Sequence, residues 1–438
     1  MSRRELGVAA DSRTIRLLFT LCWVAYAASY VGRLNYSSAM AEMIGQGLLT
    51  RSQAGAVSMS YFLCYGAGQF VNGYLGDRFS PRWMIFIGLV GAALANLLFP
   101  FARSLLLFLI LWGLNGYFQA IIWPPVLRIL AEMFDPRTGA RCCIHISSTI
   151  PAGTLAAYLL SAGAIALVGW RGPFWAGSAV MLIAALAWWP LFGRAQARTI
   201  PRAAWQRAQD PGETPESGQS SASVRSVAAT AAGPGERPTL LWLVLRCGLL
   251  LVLVPVVVNG VLKDGVATWV PSYISENFAV TAALSTLLTV ALPIANLSGA
   301  YIAGWLNRRL GGEFLASAVL YGGSLLALTA LLLCGRWSVW LTVALFALVT
   351  SLIHGANTIY TSLMPMHFQR YGAAATAGGF LNGMTYVGSA LSVYGIGAMA
   401  ERWGWNPTIL AWVGLTLAAL AVALLARNRR FDGPARAG

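Results

Sequence analysis

Long apolar runs separated by short polar breaks make up most of this chain. They lie at about 15–40, 53–76, 81–101, 104–133, 139–168, 172–193, 239–275, 282–306, 313–334, 338–366, 372–400 and 406–426. A helix needs roughly 20 apolar residues to cross the hydrocarbon core of a bilayer, so the pattern predicts twelve membrane-spanning helices. The one long polar stretch, 194–238, falls between the sixth and the seventh. Its GETPESGQSSASVRS segment has the composition of a flexible linker. The predicted organisation is all-α: a six-helix bundle over 1–193, a cytoplasmic linker over 194–238, and a second six-helix bundle with its tail over 239–438.

Composition agrees with this reading. Hydrophobic residues make up 57% of the chain and charged residues only 10%, against about 25% charged in soluble domains; a water-soluble enzyme is excluded. The formal charge of +15 would suit a nucleic-acid partner, but the cations sit in turns and tails. Arg78, Arg82, Arg137, Arg141, Arg308, Arg309 and Arg370 occupy the even-numbered breaks, and more arginines fill the linker and both tails. The opposite breaks hold only Arg51, Arg103, Arg171, Arg336 and Arg402. Cytoplasmic loops attract Lys and Arg, so both termini and the linker are expected in the cytoplasm, with no nucleic acid bound. The six cysteines lie in or beside apolar segments without a CxxC or disulfide pattern. The basic N-terminus lacks a short apolar stretch ending in a small-residue cleavage site, so no cleaved signal peptide is expected.

The two halves carry matching polar landmarks. Asp77-Arg78 ends the second helix and Asn307-Arg308 ends the eighth, 230 positions on; Arg33 and Lys263 share that offset. Duplicated bundles place a transporter's substrate near the midplane. Ionisable groups within a span are costly and are functional suspects by default. Arg33 lies late in the first helix, and Lys263, the chain's single lysine, lies in the middle of the seventh. Arginine offers a planar fork to a phosphate or carboxylate, and lysine a compact charge. Asp264 is adjacent to Lys263, but helix neighbours point about 100° apart, given 3.6 residues per turn, so the two need not pair. Asp264 is left either to compensate a cation or to carry a proton. His145 and His354 are also expected within spans, as core residues or proton relays. No acidic or His/Cys cluster has metal-ligand spacing, and no HExxH, GxSxG or paired carboxylates are present; neither cofactor, metal nor enzyme activity is expected.

Gly73-x-x-x-Asp77-Arg78-Phe-Ser-Pro-Arg82 resembles the signature between helices two and three of the major facilitator superfamily. The segments YAASYVGRLNYSSAM, YGAGQFVNGYLGDR, GLNGYFQAIIWPP, LKDGVATWVPSYI and AGGFLNGMTYVGSA further resemble the organophosphate:phosphate antiporters, the family of the glycerol-3-phosphate and hexose-phosphate transporters. That resemblance implies substrate-binding roles for Tyr26 and Arg33, a fourth-helix motif at Trp123 and a cavity-lining Tyr386. It places Lys263 where the family has its second phosphate-binding arginine. Three positions depart from it: Gln69 stands for a lysine, Thr149 for the histidine of one branch, and His354 for a tenth-helix tyrosine.

The expected protein is an inner-membrane secondary transporter of a small organic anion, such as an organophosphate or phosphonate, exchanging phosphate or coupled to protons. Arg33 and Lys263 would clamp the anion. Tyr26, Gln69, Trp123, Thr149, His354 and Tyr386 would complete the pocket, with Asp264 or His354 as proton carrier. Asp77, Arg78, Arg82 and Arg308 would gate the cytoplasmic side. The resemblance implies a monomer. Two rivals remain: a proton-coupled carboxylate importer, and a membrane sensor of a phosphorylated metabolite. The expected topology is directly measurable: a reporter after Gly438 or near Ser221 should be active only in its cytoplasm-reporting form. Activity of the periplasmic form alone would refute it.

Overall fold

The computed structural model describes residues 6–9, 11–76, 79–146, 148–201, 204, 249–365, 367 and 374–428. Among the described residues the fold is helical, and its helices fall along the twelve predicted passes. The first half comprises α1 (Ser12–Gly45), α2 (Arg51–Gly76), α3 (Pro81–Leu98), α4 (Leu105–Ala120), α5 (Trp123–Glu132), α6 (Pro136–Ile146), α7 (Thr149–Val168) and α8 (Gly172–Ala197). The second comprises α9 (Leu249–Gly260), α10 (Ala267–Phe278), α11 (Ala282–Thr289), α12 (Ala291–Leu310), α13 (Glu313–Cys334), α14 (Val339–Thr358), α15 (Ala374–Trp403) and α16 (Trp405–Leu425). Most of the predicted linker, and the predicted start of the seventh helix at 239, lie outside the described residues.

Several passes are built from two pieces. The fourth breaks between α4 and α5 at Trp123-Pro124-Pro125, where the prolines remove backbone donors and prefer a first helical turn. The seventh passes from α9 to α10 through a π-helical turn, Val261–Val266. The tenth ends in a second π turn, Ile359–Leu363.

Among the described residues nine helical stretches are long and apolar enough to cross a membrane. The fifth and sixth passes count there as one stretch, Thr149–Ala197, and the second and eleventh fall short. Those two, α2 and α15, are rich in Gly, Ser, Thr and Tyr.

By internal contacts the chain forms two compact units. The first holds residues 1–213 together with 271–290, and the second holds 214–270 with 291–438. In the first unit α1 packs on α7 and α8, and α2 on α4. A buried polar chain runs through it. Asn35 Nδ2 donates to Asn96 Oδ1 at 2.6 Å, Asn96 Nδ2 to Asn115 Oδ1 at 3.1 Å, and Asn115 Nδ2 to the Gly32 carbonyl at 2.9 Å. Gln119 Nε2 donates to Asn115 Oδ1 at 3.0 Å, and Gln119 Oε1 accepts from the Tyr61 hydroxyl at 2.9 Å. Beside it the rings of Tyr36, Phe99, Trp112 and Phe174 pack together, Phe99 stacking on Phe174 at 4.4 Å. Residues 271–290 belong to this unit: α11 packs on α7 and α1, and the Glu276 carboxylate accepts from Arg51 Nη2 at 2.7 Å and Nε at 3.2 Å.

In the second unit α9 packs on α15, α12 on α14, and α13 on α14 and α16. Small residues set these approaches, as is usual where lipid leaves packing to drive association. A Cβ on Gly299 would collide with the Ser351 carbonyl, and one on Gly388 with the Val257 carbonyl. Gly388→Val should therefore cost about 1–3 kcal/mol, the usual cost of overpacking, and lower the unfolding temperature in detergent. Gly322→Ala, with nothing within 4 Å of the added carbon, should not. Equal midpoints for the two would overturn this reading of the contact.

Candidate functional site

The first unit surrounds one membrane-embedded cation with aromatic rings. The Arg33 guanidinium carbon lies 5.7 Å from the ring centre of Tyr30, 5.5 Å from Tyr61, 5.6 Å from Phe62 and 5.1 Å from Tyr65. Tyr30 stands one turn before Arg33 on α1; the other three come from one face of α2 at i, i+1 and i+4. Cations over aromatic faces gain about 0.5–2 kcal/mol, most where water is excluded, so the cage holds the charge in place without neutralising it. Tyr61 and Tyr65 stack at 5.8 Å, and the Tyr61 hydroxyl is fixed by buried Gln119. The asparagine chain of the core therefore ends on the cage. From Tyr30 the aromatic lining continues to Tyr26 at 5.5 Å and from there to Trp123 at 4.5 Å.

The second unit carries a charged pair. Lys263 Nζ lies 3.4 Å from Asp264 Oδ2, and the Ser389 hydroxyl of α15 donates to that oxygen at 2.6 Å. Consecutive residues of an α-helix diverge; here the wider π turn brings these two together, which sequence spacing did not require. Tyr386 stands with its ring centre 5.7 Å from Lys263 Nζ. His354 on α14 lies within electrostatic reach of both Lys263 and Asp264.

Of the expected pocket residues, the structure groups Tyr26, Arg33 and Trp123 in the first unit, and Lys263, Asp264, His354 and Tyr386 in the second. Gln69 lies half-buried on α2, two turns beyond Tyr61. Thr149 needs correction: it is fully buried, and its hydroxyl donates to the Ile146 carbonyl at 2.6 Å. It starts α7 rather than presenting a donor to a ligand. His145 is exposed in the last turn of α6.

The expected gate is seen only in part. Asp77 and Arg78 lie outside the described residues. Arg82 donates twice to the Trp189 carbonyl, at 2.8 and 3.1 Å, and lies 4.0 Å over the Trp189 ring, which ties α3 to α8 within the first unit. Arg308 is exposed in the last turn of α12, where a cation complements the helix C-terminus. The sequence reading missed the Arg51–Glu276 pair and the Phe62, Tyr61 and Tyr65 cage. The period of Tyr61 and Tyr65 was its only signal, and such spacing is common in packed helices. Among the described residues no group of three His, Cys, Asp or Glu side chains could hold a metal ion.

Residues 22–392 match the family model described as Major Facilitator Superfamily. Over 417 residues the chain is 26% identical to the membrane sensor protein UhpC of Escherichia coli (strain K12), covering 93% of this chain and 90% of that one. It is 24% identical to a probable hexose phosphate transport protein of Chlamydia trachomatis, covering 93% and 90%. It is also 24% identical to the glycerol-3-phosphate transporter of Bacillus subtilis, covering 96% and 94%. These relatives match the organophosphate:phosphate antiporter family that the motifs resemble. In fold it is similar to a bacterial homolog of the human lysosomal transporter Spinster, with a TM-score of 0.75 at 13% identity, covering 97% of this chain and 100% of that one. It is likewise similar to a D-xylose-proton symporter, with a TM-score of 0.67 at 12% identity, covering 96% and 99%.

The link from core to cage can be measured without a ligand. Gln119→Leu removes the partner of the Tyr61 hydroxyl and of Asn115 together. Leaving buried polar groups unsatisfied costs about 1–3 kcal/mol each, so the unfolding temperature should fall clearly. Tyr61→Phe should cost less, because Gln119 keeps its bond to Asn115. An unchanged midpoint for Gln119→Leu would mean the chain of amides carries no structural load.

Proposed function

The chain belongs to the Major Facilitator Superfamily, and from that premise we propose that it moves a small organic anion across the bacterial inner membrane by alternating access. It is a multi-pass membrane transporter by family; the proposal concerns its cargo, coupling and residues. The observation that carries it is the Arg33 cage, a cation kept inside the membrane among four aromatic rings. Burying a charge there is costly, and an anion of the organophosphate or phosphonate kind repays the cost by pairing with it.

Arg33 and Lys263 are the anion-binding cations of this proposal. Tyr26, Trp123, Gln69 and Tyr386 shape and hydrogen-bond the remainder of the substrate. Names among the relatives favour this cargo: two are described as carrying hexose phosphate or glycerol 3-phosphate. Coupling is either exchange against phosphate or symport with a proton, for which Asp264 and His354 are the candidate carriers. Both termini and the linker lie in the cytoplasm, and Asp77, Arg78 and Arg308 at the cytoplasmic helix ends serve as gate.

A second reading has its own support, since one relative of similar identity is described as a membrane sensor. Sensor and transporter share a pocket and differ in flux. Counterflow of labelled glycerol 3-phosphate, glucose 6-phosphate and phosphate in proteoliposomes separates them; binding without flux favours the sensor.

Arg33→Ala and Lys263→Ala should each abolish uptake while leaving expression near normal. Removing one partner of a hydrogen-bonded charge pair costs about 2–5 kcal/mol, roughly 30- to 4000-fold in affinity. Lys263→Arg tests what the lysine supplies: retained transport assigns it to charge alone, lost transport to the compact ammonium. Normal uptake by Lys263→Ala would remove Lys263 from the binding residues.

A further inference from the structure

The chain leaves the second unit and returns to it at two helix breaks. Residues 271–290 lie in sequence between 214–270 and 291–438, yet their contacts assign them to the first unit. The segment starts at Pro271, inside α10, where the missing backbone donor weakens the helix. It ends where α11 stops at Thr289 and α12 begins at Ala291, with Pro293 in the first turn. Hinges use a few residues at breaks and element ends, and both boundaries are of that kind. Between them the segment is held together internally. Ala279 turns the chain with a φ of 51°, and the Ser275 hydroxyl donates to the Val280 carbonyl at 2.8 Å. Thr281 Oγ1 caps α11, accepting from the Leu284 amide at 3.3 Å.

Its seat on the first unit is releasable. Ser285, Thr286 and Thr289 of α11 are fully buried, whereas Leu284 and Leu287 are exposed. The Ser285 hydroxyl donates to the Ala282 carbonyl at 3.0 Å, and that of Thr289 to the Ser285 carbonyl at 2.8 Å. Hydroxyls bonded to their own helix keep those bonds when the helix moves as a body. Buried Ser272, beside Pro271, has no partner for its hydroxyl among the described residues, and it gains one when water enters. The Thr286 hydroxyl lies 3.5 Å from the Ser38 carbonyl of α1. Arg33 stands five residues before Ser38, about 7.5 Å along the helix at 1.5 Å per residue. At the rim Glu276 takes two bonds from Arg51 of α2, and the Arg51 and Glu276 side chains are 31% and 23% exposed. Water competes for a pair so exposed.

We infer that residues 271–290 are a hinged gate on the first unit, on the side of the membrane opposite the linker, and that Arg51–Glu276 is its latch. This rests on the orientation and the anion-binding role of Arg33 proposed above. An anion reaches Arg33 from that side when the segment swings about Pro271 and Val290 and the latch breaks, while α11 and the end of α10 stay folded. The motion is local to this segment. A latch of this strength shifts the balance between seated and released states without fixing either one.

The experiment follows the thiol introduced by Ser285→Cys into the full chain in intact cells. A membrane-impermeant maleimide is added outside, and its adduct is quantified on the peptide that carries residue 285, so no ligand is needed. With the latch intact, labelling should be slow. Glu276→Ala and Arg51→Ala should each speed it about two- to fivefold, the range that an exposed ion pair supplies. The exchange Arg51→Glu with Glu276→Arg should return it to the slow rate. Pro271→Ala, which restores a backbone donor at the hinge, should slow it further. Unfolding temperatures of the latch variants should match that of the parent; a midpoint that falls as labelling speeds up assigns the effect to loosening of the fold and overturns the gate. If Ser285→Cys does not fold, Thr289→Cys takes its place on the same helix. Equal rates with and without the latch overturn the inference and leave the anion-transporter reading standing. Faster labelling seen only in inside-out vesicles overturns the side assigned to the gate, and the proposed orientation with it.

Discussion

A charge inside a bilayer has to be compensated where it stands, because the hydrocarbon around it offers neither water nor counterion. This constraint organises both units, and they meet it in different ways. The first keeps Arg33 ionised among aromatic faces, which attract a cation through their quadrupoles while carrying no formal charge. The second sets Lys263 beside a carboxylate that is itself hydrogen-bonded. The aromatic rings hold the cation by its attraction to their faces, and the carboxylate holds it by an ion pair. The asymmetry between the units therefore lies in how each charge is supported more than in which charge is present.

Supporting such groups requires irregular backbone, which a membrane tolerates only where other protein groups satisfy it. The irregular points in the chain fall close to the functional candidates. Trp123 opens a new helix after the break that Pro124 and Pro125 impose. Lys263 and Asp264 share a π turn, and His354 lies one turn before another. Helices α2 and α15 supply three of the four cage rings and Ser389. A helix enriched in Tyr, Ser and Gly gives up insertion energy, and recovers it by hydrogen bonding inside the protein.

The sequence made the all-helical membrane fold legible, because length and hydropathy are local properties of the chain. The pairing of Lys263 with Asp264 could not be read, because α-helical periodicity separates neighbours and nothing in the residues announces a π turn. Thr149 was misplaced for a related reason: a hydroxyl can turn back to its own helix's carbonyl, and spacing does not reveal which partner it takes. The Arg33 cage needed the placement of α2, which packs on α4 where Gly116 meets the Tyr61 backbone, a tertiary contact that sequence spacing does not announce.

The frame behind that cage has a chemical property of its own. Asn35, Asn96, Asn115 and Gln119 join α1, α3 and α4 through amides, and an amide has no proton to gain or lose between mild acid and mild alkali. The bonds that orient Tyr61, and through it the rings around Arg33, are thus indifferent to the proton gradient across the membrane. Arginine, which stays protonated throughout, shares that indifference. Any response of the protein to that gradient has to arise outside this frame, among groups that do titrate, while the first unit holds its geometry constant as the two faces of the membrane differ in acidity.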